Sequence, residues 1–132
     1  SKGGNVALYA QSAAQNPLAR AAVFNAQGFA CHALTRAQKQ RLRAGAVNYV
    51  VAGDIVGALL CHPETRFYAR QNPGANAHSP DAYAFDANGF PIAAKRTWLS
   101  RAVEFLSRLL LALESLGVTN ITRRLLACPD PA

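Results

Sequence analysis

The chain has 132 residues, 51% of them hydrophobic, which is enough for one domain with a real core. No low-complexity tract or run of like charges occurs, so disorder is not expected except at the ends. The formal charge of +7 comes from scattered basic residues, densest at Lys39, Arg41 and Arg43, with no aromatic interleaving of the kind that stacks bases, so nucleic-acid binding is not expected.

Residues 6–15 are alanine-rich and predict a helix that Asn16-Pro17 ends. The apolar run 21–25, closed by Gly28, has the profile of a buried strand followed by a loop. Thr35-Arg36-Ala37-Gln38 is a capping box, opening a helix that runs to Arg43 or Ala44 and stops near Gly45. Residues 47–51 are short, apolar and β-branched, which predicts a second buried strand. Strand, helix and strand in that order imply a parallel sheet.

Beyond Asp54, residues 55–60 fit a short helix and 66–70 a brief strand. Residues 72–79 are loop by composition, and Ser79-Pro80 is an N-cap with proline at the first helical position. Asp86 to Gly89 is a turn. From Thr97 to Leu116, apolar residues recur at 99, 102, 103, 106, 109, 110 and 113 as one helical stripe, with Gly117 as the stop. Ser107, Arg108 and Glu114 interrupt this region too often for a membrane span. Residues 118–126 fit a last short helix.

Cys31, Cys61 and Cys128 are odd in number, widely spaced and without a C-x-x-C pair, so free thiols are expected and no disulfide framework. Cys31-His32 and Cys61-His62 are adjacent pairs, but neighbours on a strand point to opposite faces. No metal and no cofactor is therefore expected.

Chemistry concentrates in three places. Ser1-Lys2-Gly3-Gly4 leading into a helix has the form of the second half of a G-x-S-x-G turn, where flanking glycines let a strand and a helix approach closely. Asp54 follows the strand 47–51 across Ala52-Gly53, and loops at the carboxyl ends of parallel strands are where active sites form. Its alternative role is an N-cap for residues 55 onward. His78, later in a loop of Gly, Pro and Asn, completes the order nucleophile, acid, base.

The segment Ser1-Lys2-Gly3-Gly4-Asn5-Val6-Ala7-Leu8-Tyr9-Ala10 resembles the H-S-K-G-G-N elbow of a bacterial lipase-like subfamily of the α/β-hydrolases, itself similar to the class 3 lipases. Residues 22–29 are similar to that subfamily's next strand, with its Phe-Asn-x-x-Gly turn. Asn48-Tyr49-Val50 with Asp54-Ile55-Val56-Gly57 resembles the acid segment, and His78-Ser79-Pro80-Asp81-Ala82-Tyr83 the histidine segment.

The resemblance covers about residues 1–90. It implies the C-terminal part of an α/β-hydrolase parallel sheet over 1–95; the helical C-terminal extension expected over 96–132 is read from the apolar stripe and is not explained by the resemblance. The resemblance also implies a serine ester hydrolase acting on lipid or another ester, with Ser1 as nucleophile, Asp54 as acid and His78 as base. The backbone N–H of Lys2 would be an oxyanion donor. A serine at the first position has no strand before it, so activity is expected only with the N-terminal half of the same hydrolase.

Two other readings stand beside it. One is an N-terminal nucleophile, but Gly3-Gly4 leads into a helix where such enzymes need a strand. The other is a non-catalytic module that docks on a partner protein, on a copy of itself or on an anionic membrane, since a two- or three-stranded parallel sheet leaves an open edge. The compartment, bacterial cytoplasm or secreted and translocated, is left open.

Overall fold

The computed structural model describes residues 2–116. Helix α1 (Lys2–Ala13) leads to strand β1 (Ala21–Phe24), helix α2 (Arg36–Gly45), strand β2 (Ala46–Val51), strand β3 (Thr65–Ala69) and helix α3 (Trp98–Ser115). Short 3-10 turns occupy Val56–Ala58 and Pro80–Ala82. The strands form one parallel sheet in the order β1-β2-β3, with Phe24 beside Tyr49 and Tyr49 beside Phe67. The architecture is mixed α/β.

Helix α1 begins earlier than the alanine-rich stretch suggests, taking in Gly3 and Gly4. Two glycines cost a helix about 1 kcal/mol each relative to alanine. At Gly4 a tertiary contact outweighs that cost, because a Cβ there would lie 2.7 Å from the Ala26 Cβ. A side chain would push the first turn of α1 off the end of β1. Helix α2 starts where its capping box sets it. The Thr35 hydroxyl accepts from the Gln38 N–H at 3.2 Å, and the Gln38 side chain accepts from the Thr35 N–H at 2.9 Å.

These two helices cover one face of the sheet. Leu8, Val23, Ala26, Phe29, Leu34, Leu42 and Ala46 make a core there. The Gln11 amide stitches the helices together by donating to the carbonyls of Ala19 and Arg41. On the other face Phe24, Tyr49 and Phe67 form an aromatic row across the three strands, with centroid spacings of 5.4 and 5.6 Å. Tyr83 from the 72–85 segment meets Phe24 edge-on and donates its hydroxyl to the Tyr49 carbonyl at 2.8 Å. Only half of β1 is buried, against the expectation: Val23 is covered, whereas Ala22 and Phe24 are exposed on the aromatic side. The outer edge of β3 is closed by residues 92–94, which pair antiparallel through Arg70 N–H to Ile92 and Ala94 N–H to Tyr68.

Cys31 and Cys61 form a disulfide, which corrects the reading of both as free thiols. Their 30-residue separation hides the reason. Phe29 and Cys61 exchange two backbone hydrogen bonds, of 2.8 and 2.9 Å, in an isolated antiparallel bridge. That bridge brings the two cysteine Cα atoms to 5.4 Å, within ordinary disulfide range. The neighbouring His62 is buried, with Nδ1 2.7 Å from Glu64 Oε1 and Nε2 2.9 Å from the Leu59 carbonyl oxygen. Burial by itself would raise the Glu64 carboxyl, but the hydrogen bond and charge of His62, aided by its own backbone and Asn48, outweigh it and hold Glu64 below the usual carboxylate value.

Helix α3 is capped by Thr97, which accepts from the Ser100 N–H and donates to the Ala52 carbonyl, each at 3.1 Å. Its inner side is polar. Ser107 accepts the Leu60 N–H at 2.9 Å, and Glu104 gathers Arg66 from β3 together with Arg96 and Arg108. The short helix expected over 118–126, and Cys128, lie outside the described residues.

Candidate functional site

Strand β2 delivers Asp54 to the carboxyl rim of the sheet, where the chain turns sharply with the Asp54 N–H bonded to the Val51 carbonyl at 2.8 Å. The carboxylate is buried. It accepts the backbone N–H of Val56 at 3.2 Å on Oδ1 and of Gly57 at 2.8 Å on Oδ2. Asp54 therefore does cap the 3-10 turn that follows, and the alternative role anticipated for it is real. It also does more, because Oδ1 lies 3.1 Å from Nδ1 of His78. One carboxylate holds its own turn and a histidine brought from 24 residues downstream.

Gly57 makes this possible by close approach. A Cβ there would sit 2.7 Å from Val50 Cγ1 and 2.9 Å from Asp54 Oδ2. Any side chain would drive the turn away from the carboxylate it is bonded to.

His78 arrives on a loop that is fixed at several points. Its own N–H donates to Asn76 Oδ1 at 3.0 Å, the Gln71 amide holds the Ala75 carbonyl at 2.7 Å, and the Asn72 side chain donates to the carbonyls of Asp81 and Tyr83. The imidazole itself stays partly exposed, at 36% of its side-chain surface. With Nδ1 turned to Asp54, proton transfer to an outside group falls to Nε2.

Asn25 is given no role in the sequence, where it stands only in the Phe-Asn-x-x-Gly turn that follows the strand. In the structure it is buried at the carboxyl end of β1 and clamps both partners of the pair. Its amide donates to the Ala77 carbonyl at 3.0 Å, next to His78, and its Oδ1 accepts the Val51 N–H at 2.9 Å, close to Asp54. It adopts the left-handed conformation with φ of 47°, which asparagine tolerates better than most residues. Tyr83, which ends the histidine segment of the sequence without a role assigned to it, lies nearby. Burial, with the Asp54 carboxylate as the second cause, pushes its phenol above the ordinary value.

Beside His78 opens a cleft of about 430 Å³ lined by Phe24, Asn25, Ser79, Pro80, Tyr83 and Phe85. Its wall is mostly apolar, with the imidazole at one margin. The first turn of α1 belongs to the same rim: Gly4 abuts Ala26, and the Asn5 amide donates to the Gly28 carbonyl at 3.0 Å. Lys2 is the first residue of α1, so its N–H falls among the helix's unpaired N-terminal donors. Ser1 lies outside the described residues. Of the four residues singled out as a site, the structure brings Asp54 and His78 into contact and places Lys2 at the start of α1.

No group of three or more metal-binding side chains occurs among the described residues. Comparison with curated proteins and with solved structures gives no match. A family model described as Mbeg1-like matches residues 1–112, most of the chain, and the chain belongs to that family.

Proposed function

We propose that this Mbeg1-like chain carries the acid and the base of a serine ester hydrolase that works through an acyl-enzyme. The observation that carries the reading is the 3.1 Å contact between the buried Asp54 carboxylate and the partly exposed His78 ring. A buried carboxylate holding Nδ1–H fixes the tautomer in which Nε2 is a base, and it stabilises the cation formed once that nitrogen takes a proton.

In this mechanism Ser1 is the nucleophile. Its hydroxyl gives a proton to His78 Nε2 as the oxygen attacks the ester carbonyl. The imidazolium then protonates the departing alcohol, leaving the acyl group on the serine. Water, deprotonated by the same nitrogen, releases the acid and restores the enzyme. The Lys2 N–H and the positive end of α1 stabilise the developing oxyanion. The apolar cleft next to His78 suits the hydrocarbon part of an acyl group, which points to lipid-like esters as the substrate class.

The test is covalent labelling of the natural protein with a fluorophosphonate. Labelling is expected, with loss in Ser1→Ala and a strong slowing in His78→Ala. A folded protein that takes up no label, or that labels equally well without His78, overturns the assignment. The competing reading, a non-catalytic docking module, draws on the outward apolar face of α3 and predicts no labelling at all.

A further inference from the structure

Helix α3 leaves more of its apolar surface exposed than an ordinary surface helix does. Its inner side carries Ser100, Glu104 and Ser107, which make the polar contacts to Arg96, Arg66 and Leu60. Its outer side carries Trp98, Leu99, Phe105, Leu106, Leu109 and, just past the helix end, Leu116, all exposed, with Trp98 at 78% and Phe105 at 65%. Of the stripe that the repeated 3- and 4-residue spacing defines, Leu99, Leu106 and Leu109 are exposed, while Ala102, Val103, Leu110 and Leu113 are half-buried. A contiguous apolar surface of this kind marks an interaction site.

Charge indicates what covers it. Lys95, Arg101 and Arg108 are exposed around this face, and no exposed residue from Trp98 to Leu116 is acidic. The acids of this region, Glu104 and Glu114, sit on the less exposed side, and Glu104 is engaged by three arginines. A second copy packed on this face around a twofold axis would bring the same positive charges together. An anionic bilayer surface would meet them with opposite charge while taking up the apolar side chains. The helix is about 27 Å long at 1.5 Å per residue, and no helix among the described residues is long and apolar enough to cross a membrane. It fits a helix lying in the plane of the interface. Trp98 at its start is of the residue type that favours that boundary.

We propose that α3 docks this protein onto the surface of an anionic phospholipid bilayer, with its Trp98–Phe105–Leu109 face inserted among the headgroups. The inference is independent of ester hydrolysis: a protein without any catalytic activity would bind in the same way.

Trp98 is the chain's single tryptophan, so its fluorescence reports on this face alone. The intact chain is mixed with vesicles of phosphatidylcholine containing phosphatidylglycerol, and separately with vesicles of phosphatidylcholine only. The expected result is a blue-shifted Trp98 emission and co-sedimentation with the anionic vesicles, both weakening as salt is raised. Arg101→Gln should reduce partitioning about fivefold, and the double variant Phe105→Ser/Leu109→Ser about tenfold or more. Both variants alter exposed side chains, and unchanged circular dichroism verifies that each remains folded. Equal binding to the neutral vesicles, or no binding to either, overturns the proposal. So does an emission already blue-shifted without vesicles in a chain that elutes as a dimer, which would make a second copy the occupant.

Discussion

Replacing Asp54 by asparagine tests the site at its centre. The carboxylate accepts three hydrogen-bond donors: the N–H groups of Val56 and Gly57, and His78 Nδ1–H. Asparagine keeps the shape but offers one oxygen and one NH2. If the oxygen takes the Oδ1 position, the NH2 faces the Gly57 N–H, donor against donor. If it takes the Oδ2 position, the NH2 faces the Val56 N–H and His78. Either way at least one buried donor loses its acceptor, which costs about 1–3 kcal/mol. For a chain of this size that is a drop in Tm of roughly 4 °C per kcal/mol. The second orientation also makes Nδ1 of His78 an acceptor and moves the ring proton to Nε2, so the imidazole no longer serves as a base. Catalysis should then fall by about 10⁴-fold, the cost of the wrong tautomer in a serine triad. Thermal melts and fluorophosphonate labelling rates measured on Asp54→Asn give both numbers. His78→Gln is the control, because its partly exposed side chain contributes little to stability but all of the base chemistry. An Asp54→Asn protein that melts within about 0.5 kcal/mol of the parent, which is ordinary scatter for a surface change, and labels at the parent rate refutes the reasoning at both levels.

Gly57→Ala should destabilise by about 1–3 kcal/mol, since its Cβ would meet Val50 and the Asp54 carboxylate inside contact distance, and denaturant melts measure it. Reducing the Cys31–Cys61 bond, or replacing both residues by serine, should cost about 3–4 kcal/mol for a loop of 30 residues, read as a lower denaturant midpoint. Burial would raise the Glu104 carboxyl, but hydrogen bonds and charge from Arg66 and Arg96 hold it below the ordinary value of 4.5. Its unfolded form therefore binds the proton more readily. The stabilisation is complete above that value and is lost as pH falls through the lowered one. Melts between pH 7 and 3 should show this acid limb, and Glu104→Gln should flatten it.

What the sequence made legible was local. The capping box at Thr35 and Gln38, the β-branched run of β2 and the helical stripe after Thr97 each depend on residues close in sequence, and each forms where expected. Asp54 and His78 were legible as candidates from their order and from the strand before Asp54. Asn25 was not, because its role depends on a carbonyl 52 residues away and on a backbone conformation that spacing cannot reveal. The disulfide escaped for the same reason: the bridge between Phe29 and Cys61 pairs two loop segments that carry no strand pattern. In α3 the periodicity was visible but its direction was not. A stripe of leucines defines a face, and only the polar anchors at Ser107 and Glu104 decide which way that face turns.

A sheet of three strands is a small platform for the Asp54–His78 pair, and its rim is held by side chains at each strand end. Each strand ends in a residue whose side chain leaves the strand to fix a neighbouring loop. Beyond β1, Asn25 holds Ala77 and Val51; beyond β2, Asp54 holds its own turn and His78; beyond β3, Gln71 and Asn72 hold the segment that carries His78. Ala82 and Tyr83 of that segment pack against Val51 and Ala69, and hydrogen bonds to backbone groups complete the positioning. Such bonds are directional, and losing one leaves a buried partner unmet. The histidine is consequently set from three strand ends at once while its ring stays open to the cleft. A surface histidine with no task would need none of those tethers, since water would satisfy it equally well.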